Sequence, residues 1–372
     1  MEFAIERSDL LQGLYLTQGI VERRTTIPIL ANVLFESIGE GVSIAATDQE
    51  VGVRRRCTAK VKNQGALTTG ARKLYEIVRE CAEGTLSIRS LENNWIEIAA
   101  GKSRFKIVGL DPKEFPAMPT VGAQKDAQVV KVSVATLKEM IERTVFAVSL
   151  DETRPNLSGI YVERREPGRL RLIATDGHRL SMITRDVDSS KGGDSVIIPR
   201  KGVAEILKVI ESGDPEDIVE LSVHAAVAHL TRGDVELSMR LVEGEFPDYT
   251  QVVPRQSTKK MRCPTAPLLG ALRRVSTVSS ERTRGVKMHI ENGVLEVSSI
   301  NPDLGEARDE IEVEFTEAPF EIGFNAKYML DVLAILPPSG SVEIGFNDEV
   351  SPGLLRHDED QNYLCVIMPM RL

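Results

Sequence analysis

Residues 72–81 read Arg-Lys-Leu-Tyr-Glu-Ile-Val-Arg-Glu-Cys, and the spacing within them decides the fold. Leu74, Ile77, Val78 and Cys81 fall at i, i+3, i+4 and i+7, one face of an α-helix. The same spacing returns as Val203, Ile206, Leu207 and Ile210, and again as Met329, Val332, Leu333 and Leu336. The copies start 129 and then 126 residues apart. A solenoid repeat is roughly 20–50 residues long, so a period of this size marks a whole domain repeated three times. A chain built that way makes a shape, and its function lies in what the shape encloses or presents.

Other markers keep the same order and spacing. A strand leading into a helix opens each copy: Phe3-Ala-Ile-Glu then Leu10, Leu11, Leu14, with Ser8 as N-cap; Val130-Lys-Val then Leu137, Met140, Ile141, capped by Ser133; Met261-Arg-Cys then Leu268, Leu269, Leu272, with Thr265 at the cap position. Between the two helices of each copy, alternating strands end in Ala46-Thr47-Asp48, Ala174-Thr175-Asp176 and Ser299-Ile300-Asn301. Phe115-Pro116, Phe246-Pro247 and Met368-Pro369 mark the ends. Each unit therefore reads as an α+β module of two helices and mostly antiparallel strands. The expected domains are 1–125, 126–255 and 256–372, with linkers in the Pro/Gly/Lys/Gln-rich stretches 118–128 and 253–261.

The 372 residues, 42% apolar and 27% charged, have ordinary globular composition. No apolar run reaches the roughly 18 residues needed to cross a bilayer, and the N-terminus lacks the pattern of a signal peptide. Cys57, Cys81, Cys263 and Cys365 are scattered, which fits reduced thiols in a cytosolic protein. The net charge of −9 argues against tight nucleic-acid binding over a broad surface. Positive charge is nevertheless concentrated on the predicted helices and their starts: Arg23, Arg24, Arg72, Lys73, Arg79, Lys138, Arg143, Arg200, Lys201, Lys208, Arg273, Arg274 and Lys327. Six such helices on one surface could hold a polyanion without gripping it.

Catalytic signatures are missing. Gly65-Ala-Leu-Thr-Thr-Gly70 approaches a phosphate loop but is followed by Ala71-Arg72 rather than Lys-Ser/Thr. There is no G-x-S-x-G elbow, H-E-x-x-H or EF-hand loop, the five histidines show no ligand spacing, and Asp358-Glu359-Asp360 reads as a solvated turn. No cofactor or metal is implied. Two segments stand out instead. Ala174-Thr-Asp-Gly-His-Arg-Leu180 carries an Asp-Gly hairpin signal. Val366-Ile-Met-Pro-Met-Arg-Leu372 is apolar and Met-rich, either a closing strand or a soft wall that accepts apolar peptides.

Residues 174–180, Ile197-Ile-Pro-Arg-Lys-Gly-Val203, Phe246-Pro-Asp-Tyr249 and the terminal Met-Pro-Met-Arg-Leu together resemble the bacterial DNA polymerase sliding clamps, the beta subunits of replicative holoenzymes. The resemblance spans the whole chain. It implies a head-to-tail homodimer forming a ring of six domains, with helices lining a hole for duplex DNA. It also implies a processivity factor without a catalytic site, acting in the cytoplasm. Partners would be replicative and other DNA polymerases, the clamp loader and mismatch-repair proteins, each docking a short motif with Gln and Leu/Phe anchors. Matching positions put the peptide pocket at Leu157, Thr175, Gly177, His178, Arg179, Leu180, Pro247, Val252, Val366, Met368, Pro369, Met370, Arg371 and Leu372. DNA contacts would fall to Arg24, Arg72, Lys73, Arg154, Arg200 and Lys201. One dimer edge would carry Lys102, Arg104, Phe105 and Ile107, the other Thr277, Val278, Asp303 and Glu306. The family pattern is broken at Pro155, Asn156 and Gln251. Two other classes remain open to the residues alone: an acidic peptide-binding scaffold that never encircles DNA, and an enzyme on an α+β repeat.

Overall fold

The computed structural model describes residues 1–21, 26–118, 129–189 and 191–371. Six α-helices occur among them: α1 (Arg7–Thr17), α2 (Ala71–Glu80), α3 (Val134–Glu142), α4 (Arg200–Glu211), α5 (Thr265–Ser276) and α6 (Ala326–Leu333). All the paired strands described are antiparallel, so the α+β class expected from the pattern is the class observed. The apolar helix positions do what their spacing requires. Leu74, Val78, Val203, Ile206, Ile210, Met329, Val332 and Leu333 are all buried, each contributing roughly 1.5–3 kcal/mol of transfer free energy, whereas Ile77 and Leu207 of the same stripes are only half-buried.

The helix starts follow sequence less closely. Ser133 caps α3 as expected, its Oγ accepting from Thr136 N at 3.2 Å. Ser8 lies inside α1, which begins after Glu6 with no side-chain cap. Thr265 is likewise the first residue of α5, and its hydroxyl donates to Gly340 O at 3.4 Å. In both cases a strand runs straight into the helix, so the preceding extended residue takes the cap position.

The chain separates into two compact units whose boundaries do not follow the sequence repeat. One contains Met1–Lys138, Val187–Lys191 and Lys201–Leu241. Its 13-stranded sheet includes a seam where strand Val235–Arg240 of the second repeat pairs with strand Val51–Thr58 of the first, Ser238 opposite Gly52. The other contains Glu139–Asp186, Gly192–Arg200 and Val242–Leu372. Within it, strand Arg179–Asp186 of the second repeat pairs with strand Asp360–Ile367 of the third, Leu180 opposite Val366. Strand edges left open by one repeat are closed by the next, so the second repeat divides its strands between the units.

The sheet face turned away from the helices differs from repeat to repeat. Leu34 opposite Ala45 is covered by Phe115, Ile29 and Leu30, with Met118 packed against them. Tyr161 opposite Ile173 is covered by Phe246, Tyr249 and Val253. At the matching place the third repeat has Lys287 opposite Ser298, polar residues that tolerate water. Val253, expected in a linker, is thus part of a core cluster; the other linker, 118–128, lies outside the described residues except for Met118.

Candidate peptide-binding groove

The groove is built on one turn. Strand Arg169–Thr175 returns as strand Arg179–Asp186, and the residues between them satisfy their own backbone. Thr175 Oγ1 donates to Arg179 O at 2.7 Å and accepts from Gly177 N at 3.1 Å. Asp176 Oδ1 accepts from the N–H groups of His178 (2.9 Å) and Arg179 (3.0 Å). Gly177 sits at φ +89°, a conformation that favours glycine, and a Cβ there would lie 3.1 Å from Arg154 Nη1. The Asp-Gly signal is therefore a side-chain-locked hairpin turn.

Arg179 emerges from this turn but does not offer its charge to a ligand. Its Nε donates to Asp176 Oδ2 at 3.1 Å, one Nη to Asp331 Oδ2 on α6 at 2.6 Å, and the other to Phe146 O. The guanidinium lies 5.1 Å from the Phe146 ring centroid and 4.6 Å from that of Tyr328. Every face of the group is occupied, so Arg179 acts as a strut beneath the groove.

Above the strut lies a cavity of about 280 Å³ with a mostly apolar lining. It is lined by Leu157, Thr175, Gly177, Arg179, Leu180, Pro247, Val252, Val366 and Met368, all expected from sequence, and by Asp248 and Tyr249, which were not. Leu180 and Val366 form its floor, while Met368 and Val252 stand at the mouth, 38% and 43% exposed. A buried cluster of Ile173, Leu354 and Leu364 supports that floor. Such a concave apolar surface with a few polar edges suits a short hydrophobic side-chain pair.

Four expected residues are placed beside the cavity rather than in its lining. His178 is exposed and stacks on Tyr328 at 6.4 Å, while its carbonyl accepts from Met368 N at 2.8 Å. Pro369 follows in the terminal segment, and Met370 N donates to Gly323 O at 2.8 Å. Met370 and Arg371 instead line a larger cavity of about 810 Å³ in the third repeat, of mixed polar and apolar lining, with Lys287, Ser298 and Glu321. Leu372 lies outside the described residues. Gln251 is turned onto Asp248, its Nε2 donating to Oδ2 at 3.0 Å. The hydroxyl and N–H of Thr250, and Gln251, hold the Asp248 carboxyl below its ordinary value.

Tyr249 closes one wall through a polar anchor. Its hydroxyl donates to Glu163 Oε2 at 2.9 Å and accepts from Arg171 Nη1 at 3.1 Å; the same nitrogen reaches Glu163 Oε1 at 2.8 Å. Burial raises the phenol's pKa, with Arg171 opposing and Glu163 adding to the rise. Phe246 stacks on Tyr161 beside it, 4.6 Å apart and nearly parallel.

The helix cations are in varied states. Lys73 is exposed and pairs with Glu76, Arg200 is exposed, and Arg72 is half-buried, its Nε lacking a partner among the described residues. Lys201 pairs with Asp48. Arg154 pairs with Asp151 at 3.0 Å and borders the groove through Gly177. Arg143, expected on an outward helix face, is instead drawn into a network with Glu139 and Asp360 and lies over Tyr363 at 5.2 Å. Arg24 lies outside the described residues.

Among the described strands with an open edge, two carry the residues expected at the dimer interface. Strand Ser103–Leu110 pairs along Ser103–Val108 on one side, but on the other only through Gly109 and Leu110. It carries Lys102 and Arg104 at its start, half-buried Phe105 and Ile107, and Val108 at 58% exposure. Strand Gly305–Glu312 is the outermost of a four-stranded sheet. Beside it are the exposed Asp303, Glu306 and Thr277, with half-buried Val278, and Ile300 and Leu304 at 78% and 67% exposure.

Three two-helix, antiparallel modules joined at sheet seams define a DNA-clamp class of protein. Models of the N-terminal, central and C-terminal domains of the DNA polymerase III beta subunit match residues 1–119, 131–248 and 250–371. The chain is 36% identical over 379 residues to the beta sliding clamp of Caulobacter vibrioides, each covered completely. The solved DNA polymerase III subunit beta of Pseudomonas aeruginosa superposes with a TM-score of 0.94 at 33% identity, both chains fully covered. A sliding clamp from Bartonella birtlesii, solved bound to griselimycin, gives 0.93 at 34%, again over both full chains. The chain belongs to the bacterial beta sliding clamp family, the beta subunits of DNA polymerase III.

Proposed function

We propose that two copies of this chain close into a six-domain ring around duplex DNA, conferring processivity on the replicative polymerase without chemistry of their own. The domains we assign are 1–125, 126–255 and 256–372. The observation that carries the reading is family membership over the full chain, joined to two free strand edges of complementary character. In the ring, the edge with Lys102, Arg104, Phe105 and Ile107 meets the partner copy's edge with Thr277, Val278, Asp303 and Glu306, adding a strand pair and burying apolar surface. Arg24, Arg72, Lys73, Arg200 and Lys201 face the phosphates, with Arg154 nearer the groove. An overall charge of −9 suits topological holding: each neutralised phosphate adds roughly −0.9 to the log–log salt slope, so a strongly basic hole would brake sliding.

The groove takes the short motifs of polymerases, the clamp loader and mismatch-repair proteins. Leu157, Thr175, Gly177, Leu180, Pro247, Val252, Val366 and Met368 form its apolar seat; Arg179 supports the floor; His178, Pro369, Met370, Arg371 and Leu372 extend it along the terminal segment. We place the protein in the cytoplasm; no helix among the described residues is long and apolar enough to cross a membrane. The deciding experiment loads the protein onto nicked circular DNA and then linearises it. The ring predicts retention on the circle and loss from the free ends, whereas equal retention on both overturns encirclement.

A further inference from the structure

The first and second repeats carry the same groove, but only one is open. In the first, the turn ends on Thr47 opposite Gly52, and Gly52 lies opposite Ser238 on the neighbouring strand. In the second, Thr175 lies opposite Leu180, and Leu180 opposite Val366. The covering segments also correspond: Phe115-Pro116-Ala117-Met118 and Phe246-Pro247-Asp248-Tyr249. A Cβ on Gly52 would lie 2.6 Å from Met118 Cε and 3.0 Å from Ser238 Oγ. The side chain of Met118 therefore sits in its own repeat's groove.

Tyr249 is the matching residue, yet its groove is left as a cavity of about 280 Å³. The difference lies one strand pair away. Glu163 opposite Arg171 in the second repeat corresponds to Glu36 opposite Ser43 in the first. Glu163 and Arg171 together grip the Tyr249 hydroxyl. Ser43 is buried, its hydroxyl without a partner among the described residues, and cannot reach outward to hold anything at position 118. The side chains of Glu163 and Arg171 are only 11% and 30% exposed, and Arg171 is itself fixed by Thr184 Oγ1 at 2.9 Å. The anchor is thus stiff and partly dry, where charge-assisted hydrogen bonds are strong.

We propose that Glu163 and Arg171 are positioning residues that keep the groove vacant by holding Tyr249 as a wall, and that without them residue 249 folds into the groove as Met118 does in the first repeat. This rests on reading the groove as the peptide site. A groove that closes on itself is competent only part of the time, and apparent affinity falls by the competent fraction. The loss appears in the association rate, because the seat itself is unchanged.

The test uses the full chain and a fluorescein-labelled Gln-Leu-Ser-Leu-Phe peptide, with stopped-flow association and dissociation rates. Arg171→Ser copies the first repeat, Tyr249→Phe removes the gripped hydroxyl, and Tyr249→Met copies Met118. Each should weaken binding by about tenfold or more, mainly through slower association, while the melting temperature stays within a few degrees of the parent. Arg171→Lys, which keeps one donor, should recover most of the affinity. A peptide-free crystal structure of Tyr249→Met should show the new side chain inside the groove. If the parent binds the peptide and Arg171→Ser and Tyr249→Met bind it at the same rate, the positioning role is overturned. If the parent itself fails to bind, the groove is not the peptide site, and the reading beneath this inference falls first.

Discussion

The turn at Thr47–Val51 and the turn at Thr175–Arg179 are made by the same bonds and put to different uses. Thr47 Oγ1 donates to Val51 O and accepts from Gln49 N, both at 3.0 Å, as Thr175 does with Arg179 and Gly177. Asp48 Oδ1 accepts from the N–H groups of Glu50 and Val51, as Asp176 does from His178 and Arg179. Even the left-handed residue recurs, Gln49 at φ +77° and Gly177 at φ +89°. What differs is the last side chain. Val51 is a buried apolar plug, whereas Arg179 ties Asp176, Asp331 and Phe146 together under an open groove. A repeated turn is a scaffold, and the residue it delivers to the seam sets the function.

The largest break in this comparison should come from Arg179→Met. It leaves Asp331 and Asp176 without their shared cation beneath the groove, and removing one partner of a buried pair costs about 3–5 kcal/mol. Val51→Ala in the matching turn should cost about 2 kcal/mol, from lost burial and the small cavity left. Urea denaturation of both variants checks the ranking; equal losses would show that Arg179 is no more than packing. Arg179→Met should also lower affinity for the Gln-Leu-Ser-Leu-Phe peptide, because the floor above it loosens.

A smaller effect separates the two left-handed positions. Gly177→Ala should destabilise by about 1–2 kcal/mol, since the conformation disfavours any Cβ and Arg154 must move aside. Gln49→Gly should be neutral or stabilising by up to about 1 kcal/mol, relief of strain offsetting the entropy glycine loses on folding. Thermal melts measure both, and a shift of the same sign in each would mean that the turns are not equivalent.

The smallest effect concerns the other end of the second seam, where Arg185 meets Glu139 and Asp360. Burial pushes the Asp360 carboxyl up, but the hydrogen bond and charge of Arg185, the Asn362 N–H and Arg143 outweigh it and leave the carboxyl below its ordinary value. A carboxylate depressed in the folded state contributes stability above its unfolded pKa of about 3.9. That contribution is lost as pH falls through the folded value. The melting temperature should therefore drop below about pH 4, and Asp360→Asn should flatten part of that limb while lowering the plateau at neutral pH. An unchanged acid limb would show that this network is not what acid breaks. The first seam is held by the more exposed Arg55–Asp234 (2.8 Å) and Arg56–Glu236 (2.7 Å) pairs, so neutralising Asp234 should change the melt less.

Much of this was legible in the chain because it is local or periodic. The i, i+3, i+4, i+7 stripes located all three second helices of the repeats. Nine of the expected groove residues line the cavity. Thr175, Gly177, Arg179, Leu180, Pro247, Val366 and Met368 sit on the hairpin, the proline turn and the terminal segment that the motifs mark, while Leu157 and Val252 were expected from the family resemblance alone. Tyr249 was quoted in the Phe-Pro-Asp-Tyr motif, but its part in the wall was missed. Its anchors are 86 and 78 residues away in sequence, on strands whose alternation shows a face and not a partner. Ser8 and Thr265 misled as caps for a related reason: composition favours them, but a strand entering the helix had already fixed the cap position.

The sequence by itself determined the threefold repeat, the module and the family, because periodicity, turn chemistry and apolar patterning act over a few residues and survive without a fold. The tertiary structure alone decided which of the matching grooves is open. That outcome depends on whether the third residue after each Phe is an unanchored methionine or a tyrosine held by a distant Glu–Arg pair. It also decided that Arg179 and Arg143 are structural cations, since a charge near a seam is captured by whichever carboxylates the packing brings within hydrogen-bond reach.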